Sequence, residues 1–395
     1  RLYHLASRRD LDMKRLSLLI ILCFLITALP ITGRAAGPEV AAKSAVLMDM
    51  ATGTLLAEQN AHEKLAPASV TKVMTMLLIM EAIDSGKIGW DDTVTASDAA
   101  AAKGGSQIYL KAGETMMVTD LVKSIAVSSA NDAACAMAEY IAGSEAAFVD
   151  LMNSKAAELQ MNDTHFANCT GLDDEADVST HYTCAYDIAL MSRELMLHHP
   201  DITKYTTIWM DTIRGGSFGL SNTNKLVRFY KGATGLKTGF TAKAGYCLSA
   251  TAERDGLGLI AVVMGAATSQ DRFAACKSLL DYGFANYALV TPQLPGENTV
   301  PVKLGSVNAV TAIPNQAVQL LIDKSQKNSV TTEIILDPSV TAPVSKGQKL
   351  GTLTVKAGDQ ILAQVNMVAE TGVARLSWGD VFVKILRRLA MSKEG

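Results

Sequence analysis

Ala66-Pro67-Ala68-Ser69-Val70-Thr71-Lys72, running into Val73-Met74-Thr75-Met76-Leu77-Leu78-Ile79-Met80, decides how this chain reads. A proline is tolerated in the first turn of a helix, so Pro67 predicts a helix start. Val73, Met76, Leu77 and Met80 recur at helical spacing, which predicts one buried face. Ser69 then lies in the first turn, where unpaired backbone N–H groups favour negative charge. Lys72, three residues on, shares its face. A serine hydroxyl is a poor nucleophile until a base takes its proton. A lysine serves as that base only when neutral. Bringing its ordinary pKa of about 10.4 down toward 7 costs about 4 kcal/mol. Burial or a second nearby cation acts in that direction.

Two further motifs follow in order: Ser129-Ala130-Asn131 and Lys237-Thr238-Gly239. Lys237 is the candidate second cation. Asn131 is a candidate partner for Lys72 and for a substrate amide. Ser129 is placed to relay a proton between Lys237 and a leaving nitrogen. Lys237 and Thr238 together offer a charge and a hydroxyl to a carboxylate, and Gly239 leaves room for a substrate backbone along a strand. The backbone N–H groups of Ser69 and Phe240 are candidate oxyanion donors. Each motif alone also has a plain structural reading: Ser69 as a helix cap, Ser129 and Asn131 as caps for the apolar Ala133–Ala138 run, Lys237–Gly239 as a turn. The joint occurrence of all three is the signal.

The chain has 395 residues, 49% hydrophobic and 19% charged, with a formal net charge of −3, which gives no basic footprint and argues against a nucleic-acid partner. Met13-Lys14-Arg15 precedes an apolar run over 16–29, and small residues follow at Gly33, Ala35 and Ala36. That is the layout of an export signal, with residues 1–12 as upstream sequence; the alternative is a retained anchor. Beyond Cys23, five cysteines remain: Cys135, Cys169, Cys184, Cys247 and Cys276. Three read as small buried hydrophobes, and Cys169 with Cys184 is left open as a pair. No Cys-x-x-Cys or His/Cys spacing along the sequence suggests a metal.

Ser44–Met50 and Thr54–Glu58 read as strands joined at Thr52-Gly53, and Tyr246–Ala252 and Leu257–Met264 as strands joined at Asp255-Gly256. Between these pairs the pattern is largely helical, over 133–141, 146–159 and 185–197. Strands at both ends of a helical stretch predict one antiparallel sheet flanked by helices, an α+β fold. Composition shifts near Leu289, and short alternating runs from Thr299 to Trp378 predict a small all-β domain. Trp378, Val381, Phe382, Ile385 and Leu389 then share one helical face, with Lys384, Arg387, Arg388 and Lys393 on or near the other. That pattern suits a helix lying in a membrane interface; the alternative is a helix docked on its own β domain. The expected organisation is 1–36 leader, 38–288 catalytic domain, 289–376 all-β domain and 377–395 amphipathic helix.

The three motifs, with Thr164-His165-Phe166, Gly171-Leu172, Tyr186-Asp187 and Gly235 through Thr241, resemble the D-alanyl-D-alanine carboxypeptidases, the low-molecular-weight penicillin-binding proteins. The resemblance implies a transpeptidase-like antiparallel sheet with flanking helices, followed by a β-sandwich. It implies Ser69 as the acylated serine, Lys72 as its base, and Ser129, Asn131, Lys237 and Thr238 completing the site. The implied reaction removes the terminal D-alanine from peptidoglycan pentapeptide stems, with β-lactams as inhibitors and no cofactor. The implied location is the outer face of the bacterial membrane, at the cell wall. Ala130 stands where many relatives carry Gly, and Phe240 where some carry His. Arg272 resembles a family arginine, either for the substrate carboxylate or in an ion pair with Asp271 or Asp281. Rival readings are a β-lactamase using Glu158 and Asn162 to hold a deacylating water, an idle wall-binding protein, and an endopeptidase.

Overall fold

The computed structural model describes residues 37–173 and 180–383. The export signal expected before residue 37 and the cationic part of the C-terminal helix lie outside these. The centre is a five-stranded antiparallel sheet. Its strands are β1 (Ser44–Asp49), β2 (Leu55–Gln59), β3 (Ala233–Thr241), β4 (Gly245–Arg254) and β5 (Leu257–Ala266), in the spatial order β2-β1-β5-β4-β3. Both expected hairpins are present. Asp255 and Gly256 have φ of +52° and +80°, the pair of positive angles that a two-residue hairpin loop requires. β1 leaves the N-terminal hairpin to pair with β5 along its whole length, which closes the sheet across the intervening helices.

Alternation along these strands feeds two cores. Val46 and Met48 of β1, with Ile260, Val262 and Met264 of β5, face one core. Leu47, with Leu259, Ala261 and Val263, faces the other. The period of two thus buries both faces of the central strands. The first core is filled by α1 (Lys72–Asp84), α2 (Val118–Ser128), α3 (Asn131–Ala142), α4 (Glu145–Glu158) and α5 (Ala185–His198). The second is covered by α6 (Ser269–Asn286) through Cys276, Leu280 and Phe284. The expected one-sided burial of α1 is corrected: every residue from Lys72 to Met80 is buried. A helix apolar on all sides belongs in the middle of a domain, and this one carries the lysine in with it.

After α6 the chain becomes all-β. The strands are β6 (Tyr287–Val290), β7 (Thr299–Lys303), β8 (Ala309–Pro314), β9 (Leu320–Asp323), β10 (Val330–Leu336), β11 (Val340–Thr341), β12 (Lys349–Ala357) and β13 (Gln360–Ala369). β6 pairs with β9, and the other six form one sheet ordered β10-β12-β13-β8-β7-β11. Val300, Val310, Leu353, Val355 and Met367 make its core. Ile361, near the start of β13, is exposed. Helix then resumes over 378–383. The Ser377 hydroxyl accepts from Asp380 N at 3.2 Å, while Ser377 N donates to the Asp380 carboxylate at 3.1 Å, a reciprocal cap. Trp378 is 90% exposed and Phe382 is also exposed, so neither docks on the β domain. Among the described residues no helix is long and apolar enough to cross a membrane.

Candidate active site

The Ser69 segment folds as a tight 3-10 turn, Ala68–Thr71, that runs directly into α1. Lys72 Nζ donates to Ser69 Oγ at 3.0 Å and to the Thr170 carbonyl at 2.7 Å. Lys72 is fully buried, and that burial pulls its pKa down to about 7, against the opposing influence of Cys169 and Asp132. The expected helper, Lys237, is not what lowers it. Burial is also the first cause that holds Lys237 well below its ordinary value, with the charges of Lys72 and Arg272 adding to it. The pocket thus holds two buried amines, and the charge of Lys72 disfavours a proton on Lys237.

β3 is the edge strand of the sheet and lies against the serine turn. A Cβ built on Gly239 would stand 2.8 Å from the Pro67 carbonyl oxygen and 3.1 Å from Ser69 N. This glycine therefore makes room for the catalytic turn itself, before any substrate arrives. Lys237 and Gly239 share a face by the period of two, so the amine points the same way. Lys237 Nζ donates to the Thr238 carbonyl at 3.0 Å. Thr238 Oγ1 donates to Thr223 Oγ1 at 2.6 Å, a partner with no sequence signal of its own. Phe240 is half exposed, with its ring 4.2 Å from that of Tyr246. Arg272 forms neither expected ion pair. It donates to the Gly239 carbonyl at 3.0 Å and the Cys247 carbonyl at 3.3 Å, and so braces β3 from below.

Ser129 ends α2 with φ +63°, and its buried hydroxyl has no hydrogen-bond partner among the described residues. Asn131 opens α3. Its Nδ2 donates to the Gly104 carbonyl at 2.7 Å rather than engaging Lys72, and its buried Oδ1 accepts nothing from the described residues. Two unused polar atoms in one buried tripeptide are an invitation to a ligand, since such atoms are costly when left unpaired. The neighbouring Asp132 is fully buried. Its carboxylate takes the backbone N–H groups of Ile108 and Leu110 at 3.1 and 2.9 Å and so pins the 106–110 loop.

A further loop, the one that carries Gly171-Leu172, completes the pocket. Asn168 Oδ1 accepts from Thr170 N and Gly171 N at 3.1 and 2.7 Å, a side-chain-made turn that presents the Thr170 carbonyl to Lys72. A Cβ on Gly171 would fall 1.9 Å from the Ala68 carbonyl oxygen, so only glycine fits there. His181 ties this loop to the serine turn. Ala167 N donates to His181 Nδ1 at 3.0 Å, which makes Nε2 the protonated nitrogen facing Thr71 Oγ1 at 2.9 Å. Burial, then the neighbouring His165, pulls His181 down to about 4. Cys169 and Cys184 remain separate free thiols: Cys169 Sγ lies 3.2 Å from Glu145, and Cys184 caps α5. Glu158, the rival lactamase base, is exposed and paired with Lys155 at 2.7 Å.

Residues 32–268 match the model of the D-alanyl-D-alanine carboxypeptidase family, and residues 291–375 match the C-terminal domain of penicillin-binding protein 5. The chain belongs to the D-alanyl-D-alanine carboxypeptidase family. Among similar members, D-alanyl-D-alanine carboxypeptidase DacF of Bacillus subtilis is 43% identical over 354 residues, 88% of each chain. DacA of Escherichia coli is 34% identical over 394 residues, 95% of each. The structure of penicillin binding protein 5 from Haemophilus influenzae superposes with a TM-score of 0.73 at 30% identity, over 86% of this chain and all of that one. Penicillin-binding protein D2 from Listeria monocytogenes, solved with ampicillin bound, matches 62% of this chain and 100% of its own, with a TM-score of 0.57 at 33% identity. Both carboxypeptidase halves, the helix-flanked antiparallel sheet and the β domain, are thus family features.

Proposed function

We propose that this serine D-alanyl-D-alanine carboxypeptidase works through Ser69 as nucleophile, Lys72 as base and Ser129 as proton relay, with Asn131, Lys237, Thr238, Gly239 and Phe240 binding substrate. The observation that carries this reading is the 3.0 Å contact between Ser69 Oγ and a buried Lys72 amine whose pKa is about 7. Near neutral pH a large fraction of that amine is free base, able to take the hydroxyl proton. Ser69 Oγ attacks the carbonyl carbon of the penultimate D-alanine of a pentapeptide stem. The Ser69 and Phe240 backbone N–H groups receive the oxyanion. The C–N bond breaks, and the proton held by Lys72 passes through Ser129 to the departing D-alanine nitrogen. Water then attacks the ester by the reverse route and frees Ser69. Lys237 and Thr238 hold the substrate carboxylate, and the Asn131 amide oxygen accepts from the stem backbone, which satisfies its orphaned position. β-Lactams enter the same path and stall at the ester.

The same proposal divides the chain at 1–36, 38–288, 289–376 and 377–395, and places the enzyme outside the cytoplasmic membrane. The exposed Trp378 and Phe382 support a membrane-facing helix at the C-terminal end. Mass spectrometry of a pentapeptide ending in D-Ala-D-Ala tests the activity: the reading predicts loss of one alanine, and unchanged substrate alongside penicillin labelling would contradict it. Fluorescent penicillin labels the native chain and not Ser69→Ala if the residue roles are right.

A further inference from the structure

Three donor side chains of different chemistry meet beside the segment that leads into Ser69. His62 comes from the stretch before Pro67, Asp163 from the turn after α4, and Cys184 from the cap of α5. One donor atom of each lies within 4.8 Å of the other two. His62 Nδ1 is 3.1 Å from Asp163 Oδ2. Cys184 is buried, while His62 is exposed, so the cluster is anchored on one side and open to solvent on the other. None of the three takes part in the serine chemistry, and they are far apart in sequence, so no spacing motif reveals them.

We propose that His62, Asp163 and Cys184 bind a divalent transition metal of the zinc class, with water in the fourth position. One imidazole, one carboxylate and one thiolate are a donor set for Zn²⁺, whereas Ca²⁺ and Mg²⁺ call for oxygen cages. Bond lengths of about 2.0–2.3 Å to a tetrahedral ion put donors roughly 3.3–3.8 Å apart. His62 and Asp163 already stand at 3.1 Å, so closing from the observed spacing takes a movement of at most about 1 Å among the three donors. Binding balances as the cation displacing one proton: Cys184 S–H becomes a metal-bound thiolate and H⁺ leaves to solvent. In the metal-free chain the thiol is held protonated by burial and by the Asp187 and Asp163 carboxylates. A dication offsets those two negative charges. Lys64 opposes it, with Nζ 3.6 Å from Asp163 Oδ1, but that side chain is half exposed, and its ammonium also lies over the Tyr182 ring, 5.0 Å from the centroid, which holds it without Asp163. Asp187 stays in place, since its Oδ2 accepts from Asp163 N at 2.9 Å and Thr164 Oγ1 at 2.7 Å and so presents the Asp163 turn.

The site would staple two segments that already touch. Leu65 N donates to the Thr183 carbonyl at 2.8 Å, two residues ahead of Pro67. A metal here binds only the folded chain and therefore stabilises it.

The test uses the untagged full chain, stripped with chelator and then titrated with Co²⁺ or Zn²⁺ alone. The expected result is one equivalent bound, a near-ultraviolet thiolate-to-cobalt absorption band, and a rise in melting temperature with excess Zn²⁺. Cys184→Ser should abolish the band and the rise, since Ser keeps the helix cap. His62→Ala and Asp163→Asn should each weaken binding at least about tenfold. Penicillin labelling of every variant checks that the fold and the serine site survive. No band in the native chain, a band that persists in Cys184→Ser, or affinity unmoved by His62→Ala would each overturn the proposal.

Discussion

The two halves of this molecule treat charge in opposite ways. Before residue 290, Lys72, Lys237 and Arg272 are buried, and Asn131, Ser129 and Asp132 with them. In the β domain Thr354 is the one buried polar side chain among the described residues, and the core is Val, Leu, Ala and Met. The β domain is what a sequence optimised for folding looks like. The catalytic half carries buried basic groups whose charged forms burial disfavours, and the serine chemistry is what they make possible. A pocket that neutralises a lysine must disfavour the charged lysine it starts from.

The largest expected break in this contrast comes from Ser69→Ala, which should remove covalent penicillin labelling altogether, and from Lys72→Met, which should slow acylation by about 10³-fold or more. Stopped-flow acylation kinetics checks both. If Lys72→Met acylates within tenfold of the native chain, the base is elsewhere.

Next comes stability, where the two halves should respond with opposite signs. Leu353→Ala, in the β-domain core, should cost about 3 kcal/mol and leave acylation unchanged. Lys72→Met should instead stabilise the protein at neutral pH, on the order of 2 kcal/mol after the lost Thr170 hydrogen bond is subtracted. The sign follows from proton counting. Between pH 7 and about 10.4 the unfolded chain binds a proton on Lys72 that the folded chain has lost, so native stability rises with pH across that window. The advantage of Lys72→Met should therefore shrink toward pH 10. Urea unfolding at several pH values measures it, and a constant or negative difference would break the contrast.

His181 supplies a smaller effect on the acid side. Its folded value of about 4 lies below its ordinary value near 6.5, so the unfolded state takes up more protons between them. Stability should fall as pH drops through that window, by up to about 3 kcal/mol. His181→Gln should flatten the slope while leaving the curve above pH 7 unaltered in shape. The smallest expected effect is Thr223→Val, which unties Thr238 Oγ1 and should raise KM several-fold with little change in kcat.

The sequence disclosed the fold wherever local chemistry and global role agree. The hairpin at Asp255-Gly256, the alternation in Leu257–Met264 and the Ser-x-x-Lys turn all read directly because each is decided within a few residues. Three features did not read. α1 looked one-sided because helical spacing shows which residues align, not how many neighbours surround them. Asn131 was expected on Lys72, but the Gly104 carbonyl reaches it first. Arg272 offered an ion pair with Asp271 or Asp281 as one reading and instead holds β3 by its Gly239 carbonyl. The roles of Asn168 and His181 did not read because their outcomes depend on partners far along the chain: the Asn168 turn serves to bring the Thr170 carbonyl to Lys72, and His181 joins Ala167 N to Thr71 Oγ1.

Serine activation in this pocket rests on a lysine made neutral by burial next to the serine it serves. The most direct test is the rate of Ser69 acylation by a penicillin, measured from pH 5 to 10 on the native chain. The rate should climb about tenfold per pH unit at the acid end and level off around pH 7, following the free-base fraction of Lys72. A midpoint near pH 10, or a rate flat across the range, would contradict it.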